Sequence, residues 1–485
     1  MSNTTNRGAV VLLSPNSMSF RAITNSSVLE LVKHSVDSGV YSHIFVLSSN
    51  PADKSVLPEY VEWRSIYKPS AGARSSSFVK QISRAISVRL SRWCGLGFAN
   101  IAYRFNHIQG FYAHKFKRQM NAKRRQREIL AGNYVSRRFG FPFANSHRLY
   151  RLCYSFFYST HQVSDPRIED FFEEIKIEKL VFWHTQNEIY RDYSVCARKR
   201  KISYVGVIGS WDRPTTKGPI CPGCKKLIVN NQIMKQELVR YHGYEEDIID
   251  VVGWPQMDSY FDRSLRQERK HFLKSIGVPV DHKVILFAGN SERLGAHEPG
   301  VVEYIADQIL VGKYGNSVQL LIRPHPQDLR WAARYQKAAE FSCVTLMPAQ
   351  MGALEMMINS ILHADIVVAT QGSITIDAAA FDKPIINIGF DGYLTRAYNE
   401  SVKRWYDLDH YRPIVESGGV ALAESFESLD TMINEQLSGQ DQYIEGRERL
   451  RKIELEPFDG DSSNRQVIAM LGLSSGETLP GPVAS

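Results

Sequence analysis

The chain has 485 residues, 59 Lys+Arg against 51 Asp+Glu, and a formal net charge of +8; that length fits two domains of ordinary size better than one core. At 43% hydrophobic, 11% aromatic and 23% charged, the composition is globular and excludes a disordered, collagen-like or disulfide-scaffold chain. No apolar run approaches the roughly 20 residues that span a bilayer, and Gly8–Leu13 is shorter than a signal-peptide core of about 7–15 residues, so the expectation is a cytoplasmic protein, touching a membrane only from the inner face of the plasma membrane.

In chain order, Ala9–Leu13 reads as a buried strand, Ser26–Ser38 as a helix ending at Gly39, and His43–Leu47 as a second strand. After a basic stretch the alternation resumes with strand Lys179–His184, helix Glu188–Lys199, strand Ser203–Ile208, strand Leu227–Asn230, helix Gln232–Tyr241 and strand Ile248–Val252. Phe261–Asp281 reads as a charged helical linker. A second series follows: strand Lys283–Ala288, helix Val301–Leu310, strands Val318–Ile322 and Val344–Met347, helix Met351–His363, strand Ile366–Ala369, helix Thr375–Phe381 and strand Pro384–Ile388. Strands alternating with helices imply parallel sheets covered on both faces. The predicted division is an N-terminal Rossmann-like acceptor domain over 1–262 and a C-terminal Rossmann-like donor domain over 263–430. Helices and a disordered tail are expected over 431–485.

The positive charge is concentrated. Between Arg74 and Arg151 there are 17 Lys/Arg and one acid, a local charge of +16, while the remainder of the chain sums to −8. The centre of this 74–151 insertion is Lys115, Lys117 and Arg118 followed by Lys123, Arg124, Arg125 and Arg127, with aromatic residues interleaved. A solvated basic helix and a surface for anionic lipid headgroups or a lipid-linked acceptor both fit. Nucleic acid is the weakest fit, because no finger, RRM-like or KH-like signature accompanies the charge.

Two motifs carry chemistry. Beyond strand Val318–Ile322 comes Arg323-Pro324-His325-Pro326, and ligands of open α/β sheets sit beyond the carboxyl ends of strands. Arginine grips phosphate bidentately and histidine donates to a phosphoryl oxygen, while the prolines stiffen the loop. The second motif is a strand, the turn Gln371-Gly372-Ser373 and a helix containing Thr375 and Asp377. Here Gly372 permits close backbone approach, Ser373 and Thr375 are capping residues, and Asp377 is placed for a ribose hydroxyl. Gly289-Asn290-Ser291, after the first strand of the second series, offers further donors for a pyrophosphate, with a plain βα turn as the equal alternative.

Ser373-Ile374-x-x-Asp377 and Asp382-Lys383-Pro384-Ile385-Ile386 resemble the CDP-glycerol glycerophosphotransferases of teichoic acid synthesis, and Arg-Pro-His-Pro with Gln-Gly-Ser resembles the capsule Kdo transferases. Upstream, Gly209-Ser210-Trp211-Asp212 through Lys217-Gly218, and Gly253-Trp254-Pro255-Gln256-Met257-Asp258, are similar to elements of GT-B-fold bacterial surface-polysaccharide glycosyltransferases. The resemblance covers roughly 177–395. It implies an α/β, GT-B-like protein of two Rossmann-like domains with an interdomain cleft and a basic helical insertion in the first. The implied activity is transfer of a sugar from a nucleotide-sugar donor to a lipid-linked or polysaccharide acceptor, with a CDP-glycerol-type polyol-phosphate transfer as the nearest alternative and a sugar-nucleotide epimerase or a non-enzymatic protein that binds an anionic surface as weaker ones, and it puts His325 first among catalytic residues.

On this reading Arg323 and His325 stabilise the departing phosphate in place of a metal, and no separate cofactor is expected. The acceptor base is Asp212 or His184, with Glu188 a third choice. Cys221-Pro222-Gly223-Cys224 lacks the two further ligands of a structural zinc site and reads as a turn. No Asp-x-Asp element stands at a strand end, so no metal site is predicted.

Overall fold

The computed structural model describes residues 8–24, 26–67, 165–185, 189–216, 220–350, 354–397, 400–408 and 410–473. The basic 74–151 insertion, including Lys115, Lys117, Arg118, Lys123, Arg124, Arg125 and Arg127, lies outside them, as do Glu188, Lys217 and Gly218.

The chain forms two units. The first comprises residues up to Ser259 together with those from Pro457 onward, and the second runs from Tyr260 to Glu456. The first sheet contains strands β1 (Ala9–Ser14), β2 (Ile44–Ser48), β3 (Val61–Ser65), β4 (Ile177–Trp183), β5 (Ser203–Val207), β6 (Leu227–Val229) and β7 (Ile249–Val251). Its order is β3-β2-β1-β4-β5-β6-β7, and every pairing is parallel. Helices α1 (Ser17–Thr24), α2 (Val28–Asp37), α3 (Pro166–Glu174), α4 (Tyr190–Lys199), α5 (Arg213–Thr216) and α6 (Gln232–His242) belong with it. Parallel strands cannot be joined by tight hairpins, so the crossovers around the central strands lay helices on the sheet and keep its faces dry, whereas β2 and β3 are joined only by an exposed 3-10 turn, Pro51–Val56. The sequence of β1 is apolar at five of six positions for this reason, and all six are buried.

The second unit repeats the plan. Strands β8 (Lys283–Ala288), β9 (Val318–Arg323), β10 (Val344–Leu346), β11 (Ile366–Ala369), β12 (Ile385–Ile388) and β13 (Ala421–Ala423) form a parallel sheet of order β10-β9-β8-β11-β12-β13. Its helices are α7 (Arg269–Ser275), α8 (Glu298–Leu310), α9 (Trp331–Arg334), α10 (Leu354–Leu362), α11 (Ile374–Ala380), α12 (Lys403–Tyr406), α13 (Arg412–Glu416), α14 (Phe426–Leu437) and α15 (Ile444–Glu454). Ile285, Phe287, Leu320, Ile322 and Val368 present one face of the sheet to Val301, Val302 and Ile305 of α8 and to Leu429 and Ile433 of α14. In both sheets the strand order reverses direction beside the first strand. That is the switch point at which loops diverge and leave a crevice.

The final helix, α16 (Ser462–Leu471), corrects the expected domain division. It does not stand apart with the other residues from 431 onward but packs Val467, Met470 and Leu471 into the core of the first unit, beside α2. Each such buried aliphatic side chain contributes about 1.5–3 kcal/mol, enough to hold a ten-residue helix that is marginal alone. Asp258 receives the N–H groups of Ser462 (3.1 Å) and Ser463 (2.6 Å) at the start of α16. Gly253 makes the approach feasible. Its φ of +89° is left-handed, and a Cβ there would lie 2.3 Å from Ser462 Oγ and 2.6 Å from the Pro457 carbonyl. The Gly253–Asp258 run is therefore a seat for the returning chain.

The central strands match expectation closely, and two short edge strands were not expected. In β3 only Val61 is buried, with Trp63 and Arg64 half-buried and Glu62 and Ser65 exposed, and β13 is three residues long. The Cys221–Cys224 turn is structural. Tyr204 Oη donates to the Pro222 carbonyl (2.6 Å), and both thiols are buried without forming a disulfide.

Candidate functional site

In the second unit β8 lies between β9 and β11, so the loops leaving these three parallel strands are neighbours at the carboxyl end of the sheet. The loop after β8 begins at Gly289-Asn290-Ser291, β9 ends at Arg323 and is followed by Pro324-His325-Pro326, and β11 is followed by Thr370 and the turn Gln371-Gly372-Ser373. Asn290 Nδ2 donates to the Gln371 carbonyl (3.1 Å) and ties the first loop to the third. The backbone of the first loop is otherwise occupied. Gly289 N–H donates to the Arg323 carbonyl (2.9 Å), and Asn290 N–H is shared by both oxygens of Glu298 (3.0 and 2.9 Å). These two amides are thus not the pyrophosphate donors expected of them; they brace the loop. Ser291 closes the turn by accepting from Leu294 and Gly295 with its carbonyl.

His325 is half-buried, and its Nδ1 accepts the Gln327 N–H (3.1 Å). In the neutral imidazole this assigns the proton to Nε2, which makes Nε2 the hydrogen-bond donor. Asp328 N–H returns to the His325 carbonyl (2.8 Å), so the loop is fixed from both sides of the ring. Arg323, the last residue of β9, has its pKa lowered by burial, opposed by the negative charge of Asp377 and by Tyr260. It borders a pocket of about 280 Å³ whose walls include Thr345, Met347, Gln350 and Met356.

Asp377 lies in the first turn of α11 and accepts from Tyr260 Oη (2.7 Å). Burial pushes its carboxyl up to about 6, against the downward pull of the Tyr260 bond and of Arg323. One oxygen of the residue expected on a ribose is thus held by a phenol whose ring also packs on Phe381, with centroids 4.8 Å apart. Ser373 is exposed at the start of α11 and makes no capping bond, so its hydroxyl faces solvent. Thr375 is placed differently from expectation. It is fully buried, with its hydroxyl on Asn387 Oδ1 (3.1 Å) and Tyr411 Oη (3.0 Å). The helical register turns it into the core, where it supports the turn from below.

Glu298, at the start of α8, went unrecognised in the sequence. It is fully buried and its carboxyl is pushed up to about 7 by burial, although several donors pull it down. Thr370 Oγ1 donates to it (2.8 Å), as do Tyr335 Oη (3.0 Å) and Arg334 Nη2 (3.4 Å). His297 Nε2 lies 3.2 Å from Thr370 Oγ1, and burial takes this imidazole down to about 4. The only signal available was a Glu-Pro pair, which suits the first turn of a helix.

The candidate bases lie in the first unit, on loops leaving the paired strands β4 and β5. His184 is buried with a φ of +60°, a conformation uncommon outside glycine and seen at functional sites. Its N–H donates to the Val207 carbonyl (2.8 Å), and its ring covers Gly209, where a Cβ would stand 3.3 Å from Nε2. Asp212, three residues further on, accepts from Ser210 Oγ and neighbours the buried Arg213. The fold thus gathers His184 and Asp212 at one end of one sheet.

Three solved structures, two of them described as UDP-GlcNAc 2-epimerases, share this architecture at low identity. The enzyme from Neisseria meningitidis is 15% identical with a TM-score of 0.51, covering 96% of this chain and 100% of its own. The putative enzyme from Listeria monocytogenes is 11% identical with a TM-score of 0.52, covering 96% and 95%. The UDP complex of MnaA from S. aureus is 12% identical with a TM-score of 0.52, covering 97% and 99%. These likenesses establish the fold, two Rossmann-like domains of GT-B type. No curated protein matches the chain in sequence. The family model described as CDP-Glycerol:Poly(glycerophosphate) glycerophosphotransferase matches residues 211–471. That span takes in Asp212, the Arg323–His325 loop and the Gln371–Asp377 turn and covers more than half of the sequence, so the chain is a nucleotide-dependent transferase and belongs to the CDP-glycerol:poly(glycerophosphate) glycerophosphotransferase family.

Proposed function

We propose that the enzyme transfers a sugar from a nucleotide-sugar donor to a surface polysaccharide or lipid-linked acceptor, with its second unit holding the donor. The observation that supports this is the Asn290–Gln371 tie, which sets the Gln371-Gly372-Ser373 turn beside the strand that separates it from Arg323 and His325. The nucleoside would occupy the pocket bordered by Arg323, Met347 and Gln350. Asp212 or His184 takes the proton of the acceptor hydroxyl, whose oxygen forms the new bond to the anomeric carbon. As the bond from that carbon to the phosphate oxygen breaks, the charge left on phosphate meets the Arg323 guanidinium and His325 Nε2–H. Fixed donors aimed at developing charge need no reorganisation during the reaction. No separate cofactor enters this scheme.

A second reading, transfer of a polyol phosphate from a CDP-linked donor, draws on the family description itself. There the acceptor attacks phosphorus, and the same two side chains meet the departing cytidine monophosphate. Mass spectrometry of the extended acceptor decides between them, since a hexose and a glycerol phosphate add different masses. An increment matching neither would remove both.

Among the described residues no helix is long and apolar enough to cross a membrane. We place the reaction at the cytoplasmic face of a membrane on the strength of the +16 segment, where each Lys or Arg near an anionic surface contributes about 1 kcal/mol. Binding to phosphatidylserine vesicles is expected at low salt and should fall as salt rises. Changing Lys123, Arg124, Arg125 and Arg127 to glutamate should release the protein; equal binding by this variant would count against the membrane contact.

A further inference from the structure

Glu298 joins three segments that are distant in sequence. Its donors come from the loop after β8 (Asn290), from the last turn of α9 and the residue after it (Arg334 and Tyr335), and from the residue immediately after β11 (Thr370). Thr370 directly precedes the Gln371-Gly372-Ser373 turn, and Asn290 is the residue whose side chain holds the Gln371 carbonyl. Arg334 extends the network to the loop after β9. It donates to the Asn290 carbonyl (2.9 Å), to the Gly295 carbonyl and to Asp328, whose N–H closes the turn on His325. Tyr335 fills the space beside Gly289, where a Cβ would stand 2.5 Å from its hydroxyl.

A buried carboxylate is costly unless its oxygens are satisfied, and the fold spends four donor groups on this one. A core carboxylate needs no particular address. The donors of this one are the residues that set the positions of the two loops assigned above to the donor, after β9 and β11, and of the β8 loop that braces them. Resting on that donor-site assignment, we infer that Glu298 is a positioning residue: through Asn290, Thr370 and Arg334 it holds the loops after β8, β9 and β11 in the arrangement that binds the nucleotide. It touches no substrate. Its effect is carried by Asn290 onto Gln371 and by Arg334 and Asp328 onto His325.

Asp430 provides a matched control. It too is buried, and it accepts from Tyr304 (2.6 Å), Tyr314 and Lys313. These partners lie in the second half of α8 and just beyond it, whereas Glu298 opens that 13-residue helix. A carboxylate with a purely structural role should behave as Asp430 does.

The test uses the full chain and calorimetric titration with CDP, UDP, GDP and dTDP, alongside thermal unfolding. Glu298→Gln keeps the shape but replaces one acceptor by a donor, and it should weaken binding of the preferred nucleotide at least tenfold. Thr370→Val should weaken it several-fold, and Thr370→Ser, which keeps the hydroxyl, should bind as the parent does. Asp430→Asn should lower the melting temperature and leave affinity unchanged. Should Glu298→Gln fail to fold, the Val/Ser pair at Thr370 decides. Parent-like affinity in Glu298→Gln and Thr370→Val, or equal loss in Asp430→Asn, overturns the positioning role while leaving the donor site in place. A parent chain that binds none of the four nucleotides overturns both.

Discussion

His325→Ala is expected to lower turnover by about 10²–10³, the usual cost of removing one preorganised charge stabiliser, with little change in melting temperature or donor affinity. The expectation follows from local geometry. The imidazole is half-buried at the end of β9, its Nδ1 takes the Gln327 N–H, and Nε2 is thereby assigned as the donor. The loop around it is closed by the Asp328 N–H and by prolines on both sides, so truncation removes the ring without releasing the backbone. A ground-state contact would appear in donor affinity, and a transition-state contact in turnover. Measuring both on purified protein separates the two, and normal turnover in a folded variant would take His325 out of the mechanism.

Gly372→Val carries the second large effect, this time on binding. Gly372 has no left-handed φ, and a Cβ there would meet nothing nearer than the Thr370 carbonyl at 4.0 Å. The fold itself therefore has room for a side chain. What a branched side chain would occupy is the open space above the turn, where the donor's phosphates approach the backbone. Nucleotide affinity should fall by tenfold or more, which is at least about 1.4 kcal/mol, while the melting temperature stays near that of the parent. Undiminished affinity would mean that the donor lies elsewhere.

Much of the fold was legible because parallel strands buried on both faces leave continuous apolar runs. Lys283–Ala288 and Ile366–Ala369 were read with the bounds they have in the structure. The edge strands escaped because their burial is partial or their length slight, which removes the signal that marks central strands. The loops bearing Arg323, His325, Gln371 and Gly372 were also legible, since chemistry collects beyond strand ends in this architecture. Which atoms of those loops are available was not. Whether Gly289 N–H is offered to a ligand depends on the Arg323 carbonyl, and the direction of Thr375 depends on Asn387 and Tyr411. Glu298 was hidden for the same reason. Its partners stand at positions 290, 334, 335 and 370, and nothing local to His297-Glu298-Pro299 announces them. The role of Asp258 rested on Ser462 and Ser463, some two hundred residues away.

The most direct measurement is thermal unfolding of the full chain with a panel of nucleotide sugars and CDP-alcohols. At least one compound present at 100 times its dissociation constant should add about 2.7 kcal/mol of stability, and the Gly372→Val variant should lose most of that gain. A melting temperature unmoved by every compound at millimolar concentration would contradict a nucleotide-activated donor held by the loops after β9 and β11.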